Sequence, residues 1–181
     1  MINNLAGKKA PKEILENIEK LIEAYYTNKP DINIQNQKVS FGTSGHRGNT
    51  KKSSINEDHV LAITQALCEY RKSAGINGVM HIGIDTHALS TPAQETALQV
   101  FLANEVQCKI AAKNSYTPTP VMSFTIIESN KNSKDLNDGV IITPSHNPPC
   151  DGGFKYNTPN GGPSDTDVTS VIEKRANEIL K

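Results

Sequence analysis

Apolar residues recur at helical spacing from Pro11 to about Tyr26, at Ile14, Leu15, Ile18, Leu21, Ile22 and Tyr25. This predicts an amphipathic helix with Pro11 in its first turn. Lys29-Pro30-Asp31 ends it and opens a polar linker, DINIQNQ. The run KVSFG predicts a short extended piece that enters a glycine-rich loop. Asn56 can cap a helix whose inner face is Val60, Ile63, Leu67 and Tyr70, closed by Gly75. Val79 to Asp85 reads as a buried strand. Thr91-Pro92-Ala93-Gln94 predicts a capping box with proline first in the helix, followed by Ala97, Leu98 and Phe101. Glu105 to Ala111 alternates, with Val106, Cys108 and Ile110 on one face. Thr117-Pro118-Thr119-Pro120 predicts a helix running through Phe124 and Ile127. After the polar loop ESNKNSKDLND comes a strand, Gly139 to Thr143. From about Asp165 the spacing of Val168, Val171, Ile172 and Ile179 is helical again.

Strands separated by helical segments of this length imply crossover connections and a mainly parallel, mixed sheet in an α/β fold. Ligands of such sheets sit beyond the carboxyl ends of the strands. Three loops qualify: those after Phe41, after Asp85 and after Thr143.

Composition narrows the partners. A chain of 181 residues suits about one domain. Lys plus Arg and Asp plus Glu are both 19, and there is no Trp. Zero net charge argues against a general polyanion binder, and scarce aromatics argue against a stacking platform for nucleic acid. No apolar run has the length of a signal peptide or a membrane span. Cys68, Cys108 and Cys150 form no CxxC pair, which suits a reducing, cytoplasmic setting.

The loop Phe41-Gly-Thr-Ser-Gly-His-Arg-Gly48 combines glycines that could take positive φ or approach a ligand closely, hydroxyls on Thr43 and Ser44, and the guanidinium of Arg47. Lys51 and Lys52 follow, with no acid from Phe41 to Lys52, so an anion is the natural guest. The spacing matches neither a Walker A loop nor GxGxxG, and His46 takes the final glycine position of a hydrolase elbow. In the loop from Thr143 to Asn157, Ser145 lies two residues past a β-branched strand, stiffened by Pro144, Pro148 and Pro149. His146 adjoins it. Asp151-Gly152-Gly153 predicts a tight turn that folds Lys155 back toward Ser145. A serine without a hydrolase triad suits phosphoryl transfer, with Lys155 or His146 moving the hydroxyl proton. In the third loop, His87 beside Asp85 reads as a structural, hydrogen-bonded residue. His59 and His81 read as helix-surface and strand residues, and Cys150 as incidental.

FGTSGHRG at 41–48, GIDTHALS at 83–90, TPTP at 117–120 and TPSHNPPCDGGFKYNTPNGGP at 143–163 resemble the α-D-phosphohexomutase superfamily, above all its bacterial glucose-specific phosphoglucomutases. The resemblance runs from the N-terminal helix to the end of the chain. It implies helix–sheet–helix layers and a single domain over 1–181, the first of four in such enzymes, with 1–37 as a helical arm and linker. It implies interconversion of glucose 1-phosphate and glucose 6-phosphate through glucose 1,6-bisphosphate. Ser145 would be the phosphoserine and one ligand of Mg²⁺, His146 would contact the substrate and Lys155 would assist proton transfer. Thr43 and Arg47 would line the phosphate site, and Asn147 would shape the serine loop and stand with them among the substrate-binding residues.

The acidic loop that completes the metal site in this superfamily is missing from the chain, as are the later sugar-specificity loop and distal phosphate-binding domain. Cys150 stands where many members carry an acid. The expected partners are therefore a hexose phosphate and the remaining mutase domains, with the fragment alone inactive. Specificity for another phosphosugar, such as mannose or glucosamine phosphate, and a non-catalytic anion-binding or assembly module both stay open.

Overall fold

The computed structural model describes residues 4–42 and 45–181. In chain order these form α1 (Ile18–Thr27), β1 (Gly45–Asn49), α2 (Glu57–Ser73), β2 (Met80–Ile84), α3 (Ser90–Ala103), β3 (Cys108–Ile110), α4 (Thr119–Asn130), β4 (Asp138–Ile142), β5 (Asp151–Asn157) and α5 (Thr166–Ile179), with short 3-10 turns between some of them. The five strands make one sheet in the order β1-β5-β4-β2-β3. β2 runs parallel to both β3 and β4, whereas β5 is antiparallel to β4 and to β1.

The antiparallel half comes from a strand that the sequence reading missed. Residues 151–157 return from β4 as the second arm of a hairpin, so Asp151-Gly152-Gly153 is not a tight turn. A Cβ on Gly153 would lie 2.2 Å from the Thr143 carbonyl oxygen. Glycine is needed there for close strand approach, not for an unusual φ. The first glycine-rich segment is corrected in the same way. Gly45–Asn49 is strand, and none of Gly42, Gly45 and Gly48 has a left-handed φ. A Cβ on Gly45 would meet the Phe154 carbonyl oxygen at 2.3 Å. Thr43 and Ser44 lie outside the described residues.

Residues alternate between the two faces of the sheet. Val140, Ile142, Phe154 and Tyr156 enter the main core beneath α2, α3 and α5. Ile141 joins Met122 and Ile126 of α4 on the other face. Phe124 and Ile127 of α4, expected along the helix's apolar run, are exposed.

Helix ends follow the capping side chains. Asn56 accepts the His59 N–H at 3.4 Å, and Gly75 has φ +69° just past α2. The helix expected from Pro11 is interrupted: Leu15 is extended, and Asn17 accepts the Lys20 N–H at 2.9 Å, so α1 starts only at Ile18. Leu21 and Tyr25 enter the core, and the Tyr25 hydroxyl donates to Thr96 of α3 at 3.0 Å. The capping box at Thr91–Gln94 does not form. α3 starts two residues before Pro92, at Ser90, Gln94 is buried, and the Ser90 hydroxyl instead donates to Asp85 at 2.6 Å. No described helix is long and apolar enough to cross a membrane.

His59 is not on the helix surface but fully buried, stacked on His46 with ring centroids 5.2 Å apart. His46 Nε2–H donates to the Ser54 carbonyl at 2.9 Å, while its Nδ1 accepts the Ser40 N–H at 3.1 Å. His59 faces Asn56 Oδ1 and the Gln37 carbonyl, each at 2.8 Å. The Gln37 carbonyl and the Asp58 carboxylate favour the charged ring, but burial and the adjacent His46 outweigh them and push His59 down to about 4. Burial lowers His46 as well.

Between pH 6.5 and 4 the unfolded chain therefore binds more protons than the folded one. This stability is complete above the ordinary histidine range and is lost as pH falls through that window, by up to about 1.4 kcal/mol per pH unit for His59. Urea midpoints should drop between pH 7.5 and 5.0, and drop less in His59→Gln; an equal drop would contradict the assignment.

Candidate active site

The carboxyl ends of β2 and β4 lie side by side, and the helices that follow and precede them, α3 and α4, pack on opposite faces of the sheet. Such a switch point leaves a crevice. Here it is a cleft of about 510 Å³ between the loop after β2 and the loop after β4, with Ile18 of α1 on its wall. Residues 143–150 join β4 to β5 and carry Ser145.

Ser145 is exposed and left-handed, with φ 66°. That backbone costs a non-glycine residue about 1–2 kcal/mol, and the Ser145 N–H is held by Thr143 Oγ1 at 2.9 Å. The sheet register delivers its cationic neighbours. Lys155 of β5 stands opposite Ile141 and Gly45, and Arg47 of β1 stands opposite Gly153, so both side chains share one face. Lys155 Nζ donates to Ser145 Oγ at 2.6 Å, and Arg47 Nη2 reaches the same oxygen at 3.4 Å.

Lys155 is only 9% exposed. Burial first, then the Arg47 charge, hold its ammonium below the usual lysine range, against the opposing pull of Asp85. A lysine in this condition gives up a proton more readily than a solvated one while still presenting donors to an oxyanion.

The structure distributes the other sequence-predicted residues unevenly. His146 is exposed beside Ser145. Asn147 donates to Asp151 Oδ2 at 3.2 Å and so ties the serine loop to the start of β5. Thr43 lies outside the described residues. Lys51 pairs with Glu16 from the N-terminal segment, and both Lys51 and Lys52 are exposed. His87 is hydrogen-bonded as expected: it bridges the loop after β2 to the Pro149 carbonyl at 2.8 Å.

Cys150 is engaged by the Asn49 amide at 2.9 Å, which also donates to Asp151 at 3.0 Å. The contributions of Asn49 and Ile18 were missed, because neither sits in a motif, and Asp151 was read only as the start of a turn. Asp85 was legible only as a residue at a strand end.

Ser145 Oγ is exposed at the mouth of this loop. Among the described residues no group of three or more His, Cys, Asp and Glu could hold a metal ion. The site can position an oxyanion on Ser145 and move a proton at its oxygen, but it does not by itself build a metal centre.

Residues 38–181 match the family model described as phosphoglucomutase/phosphomannomutase, alpha/beta/alpha domain I. A phosphoglucomutase of Komagataeibacter xylinus is 57% identical over 180 residues, 99% of this chain and 32% of that protein. One from Entamoeba histolytica is 30% identical over 77% of this chain and 25% of its own length. Among solved structures, Paramecium parafusin, a phosphoglucomutase in its open form, superposes with TM-score 0.69 at 23% identity over 83% of this chain and 26% of that one, which speaks for the fold. The chain thus spans about a third or less of the length of these relatives. With the matched domain model covering most of its residues, the chain belongs to the phosphoglucomutase/phosphomannomutase family, as its α/β/α domain I.

Proposed function

We propose that this chain is the phosphoryl-carrying domain of an enzyme that interconverts glucose 1-phosphate and glucose 6-phosphate. One observation carries the reading: an exposed serine oxygen on a strained bend lies 2.6 Å from a buried lysine, with Arg47 beside it. In the forward half-reaction a sugar hydroxyl attacks the phosphorus carried by Ser145. The bond from phosphorus to Ser145 Oγ breaks as the bond to the sugar oxygen forms. The proton leaves the sugar hydroxyl and ends on Ser145 Oγ, delivered by Lys155. The product is glucose 1,6-bisphosphate. After it reorients, Ser145 Oγ attacks the phosphorus of the other phosphoryl group, the bond from that phosphorus to its sugar oxygen breaks, the serine proton passes by way of Lys155 to the departing sugar oxygen, and the sugar keeps the phosphoryl group it received first. Arg47 offsets the charge on the moving group, His146 contacts the sugar phosphate, and Asn147 and Thr43 complete the set of substrate-binding residues.

Mg²⁺, when bound, would neutralise charge on that group, with Ser145 as one ligand and carboxylates from outside this chain as the rest. Those carboxylates, the sugar-specificity elements and the distal phosphate site belong to the remaining domains. The α4 surface supports such partners. Val121, Phe124 and Ile127 are exposed opposite the buried Met122 and Ile126, and a helix apolar on both sides is ordinarily covered on both. The free thiols suit a cytoplasmic setting.

In the complete enzyme Lys155→Met should lower kcat by about 10²- to 10⁴-fold, with a smaller change in KM. It should not lower thermal stability, because the buried ammonium opposes folding at neutral pH. An unchanged kcat would remove Lys155 from the chemistry. Comparing kcat/KM for glucose, mannose and glucosamine phosphates tests the choice of sugar.

A further inference from the structure

We infer that His87 is a positioning residue for Ser145, acting as a clasp between the loop after β2 and the far end of the serine loop; this rests on the phosphoryl-transfer reading above. The serine loop needs such a clasp. Ser145 holds a left-handed φ that its own side chain does not favour. Pro144, Pro148 and Pro149 leave the loop short of N–H donors, so its carbonyls must find partners elsewhere.

The loop's near end is anchored at Ile142, whose carbonyl accepts the Asp85 N–H at 3.3 Å. Its far end is anchored by His87, whose Nε2 lies 2.8 Å from the Pro149 carbonyl. Both anchors come from the same short segment, 85–90. Two fixed points on a rigid sheet end define where Ser145 Oγ sits relative to Lys155.

The ring is itself constrained, as a clasp must be. The His87 N–H donates to Asp85 Oδ1 at 2.8 Å. The Leu89 N–H donates to His87 Nδ1 at 3.1 Å. With Nδ1 accepting, the neutral ring carries its proton on Nε2, and Nε2–H donates to Pro149. Two functions are therefore separable along the ring: Nδ1 closes the local turn, and Nε2 reaches across to the serine loop. A histidine held only for its own turn would need the first alone.

That separation sets the experiment, made in the complete enzyme. An asparagine amide reaches the Nδ1 position and can keep the Leu89 contact but cannot reach Pro149. A glutamine amide reaches the Nε2 position and can donate to the Pro149 carbonyl. A displacement of about 1 Å at reacting atoms can cost about 10²-fold in rate. His87→Asn should lower kcat by about 10- to 100-fold with KM within about twofold of the parent. His87→Gln should recover kcat to within about threefold. The inference is overturned if both variants match the parent, if both lose kcat equally, or if only KM moves. Ser145→Ala run alongside separates the two levels: turnover retained there overturns the phosphoserine reading itself, whereas an inactive Ser145→Ala with a fully active His87→Asn overturns the clasp alone.

Discussion

Replacing Ser145 by alanine in the complete enzyme is expected to reduce turnover to background, a loss of at least about 10⁴-fold. The oxygen removed is the atom that carries the phosphoryl group. Thr143 offers no substitute, because it is buried and its Oγ1 is turned to the backbone N–H of residue 145. Ser145 is exposed, so little packing is lost. Ser145→Gly makes the dissection sharper. Glycine at φ 66° relieves the left-handed strain, so this variant should be as stable as the parent or more so, by up to about 1 kcal/mol, and equally inactive. Inactivity in both variants, with melting temperatures unchanged or raised for glycine, locates the loss in chemistry. Substantial turnover in either contradicts the phosphoserine assignment.

Asp138→Asn should have the largest effect on stability. Asp138 is wholly buried at the start of β4 and receives Arg71 Nε at 2.9 Å and the Tyr156 hydroxyl at 2.7 Å. Arg71, also buried, donates its Nη2 to the Gly78 carbonyl at 2.6 Å. Removing the carboxylate charge leaves the guanidinium uncompensated in the interior, at a cost of about 3–5 kcal/mol. Val140 and Tyr156 share that face of the β4–β5 hairpin, whereas Lys155 lies on the other. The damage should therefore appear in the urea midpoint and not in kcat of the folded fraction. A loss under about 1 kcal/mol would mean that water or rearrangement relieves Arg71.

The residues that meet at the site were legible because chemistry is written in side-chain type. Ser145, Lys155 and Arg47 are the hydroxyl and cations of the two strangest loops, and the structure brings all three together. How they meet was less legible. The sequence reading took Asp151-Gly152-Gly153 for a turn, since paired glycines usually mark one. Here the same glycines permit backbone contact closer than any Cβ allows, and the segment is a strand. Gly45 misled for the same reason.

The burial of His59 was hidden because a polar residue at an inward helical position gives no hydrophobic signal, and its partner, His46, is 13 positions away. The break before α1 reflects local competition, in which the Asn17 side chain caps a later start than the apolar spacing suggests. Asp85 and Asn49 act through contacts across the fold, which spacing along a chain does not record.

The central claim is that Ser145 Oγ is the way-station for the transferred group. It is tested most directly by charging the complete, active enzyme with glucose 1,6-bisphosphate, quenching in acid and mapping the phosphorylated peptide by mass spectrometry. The expected result is phosphate on Ser145 that disappears when glucose 6-phosphate is added before the quench. A phosphoryl group that turns over on any other residue, or turnover with Ser145 never labelled, would contradict the account.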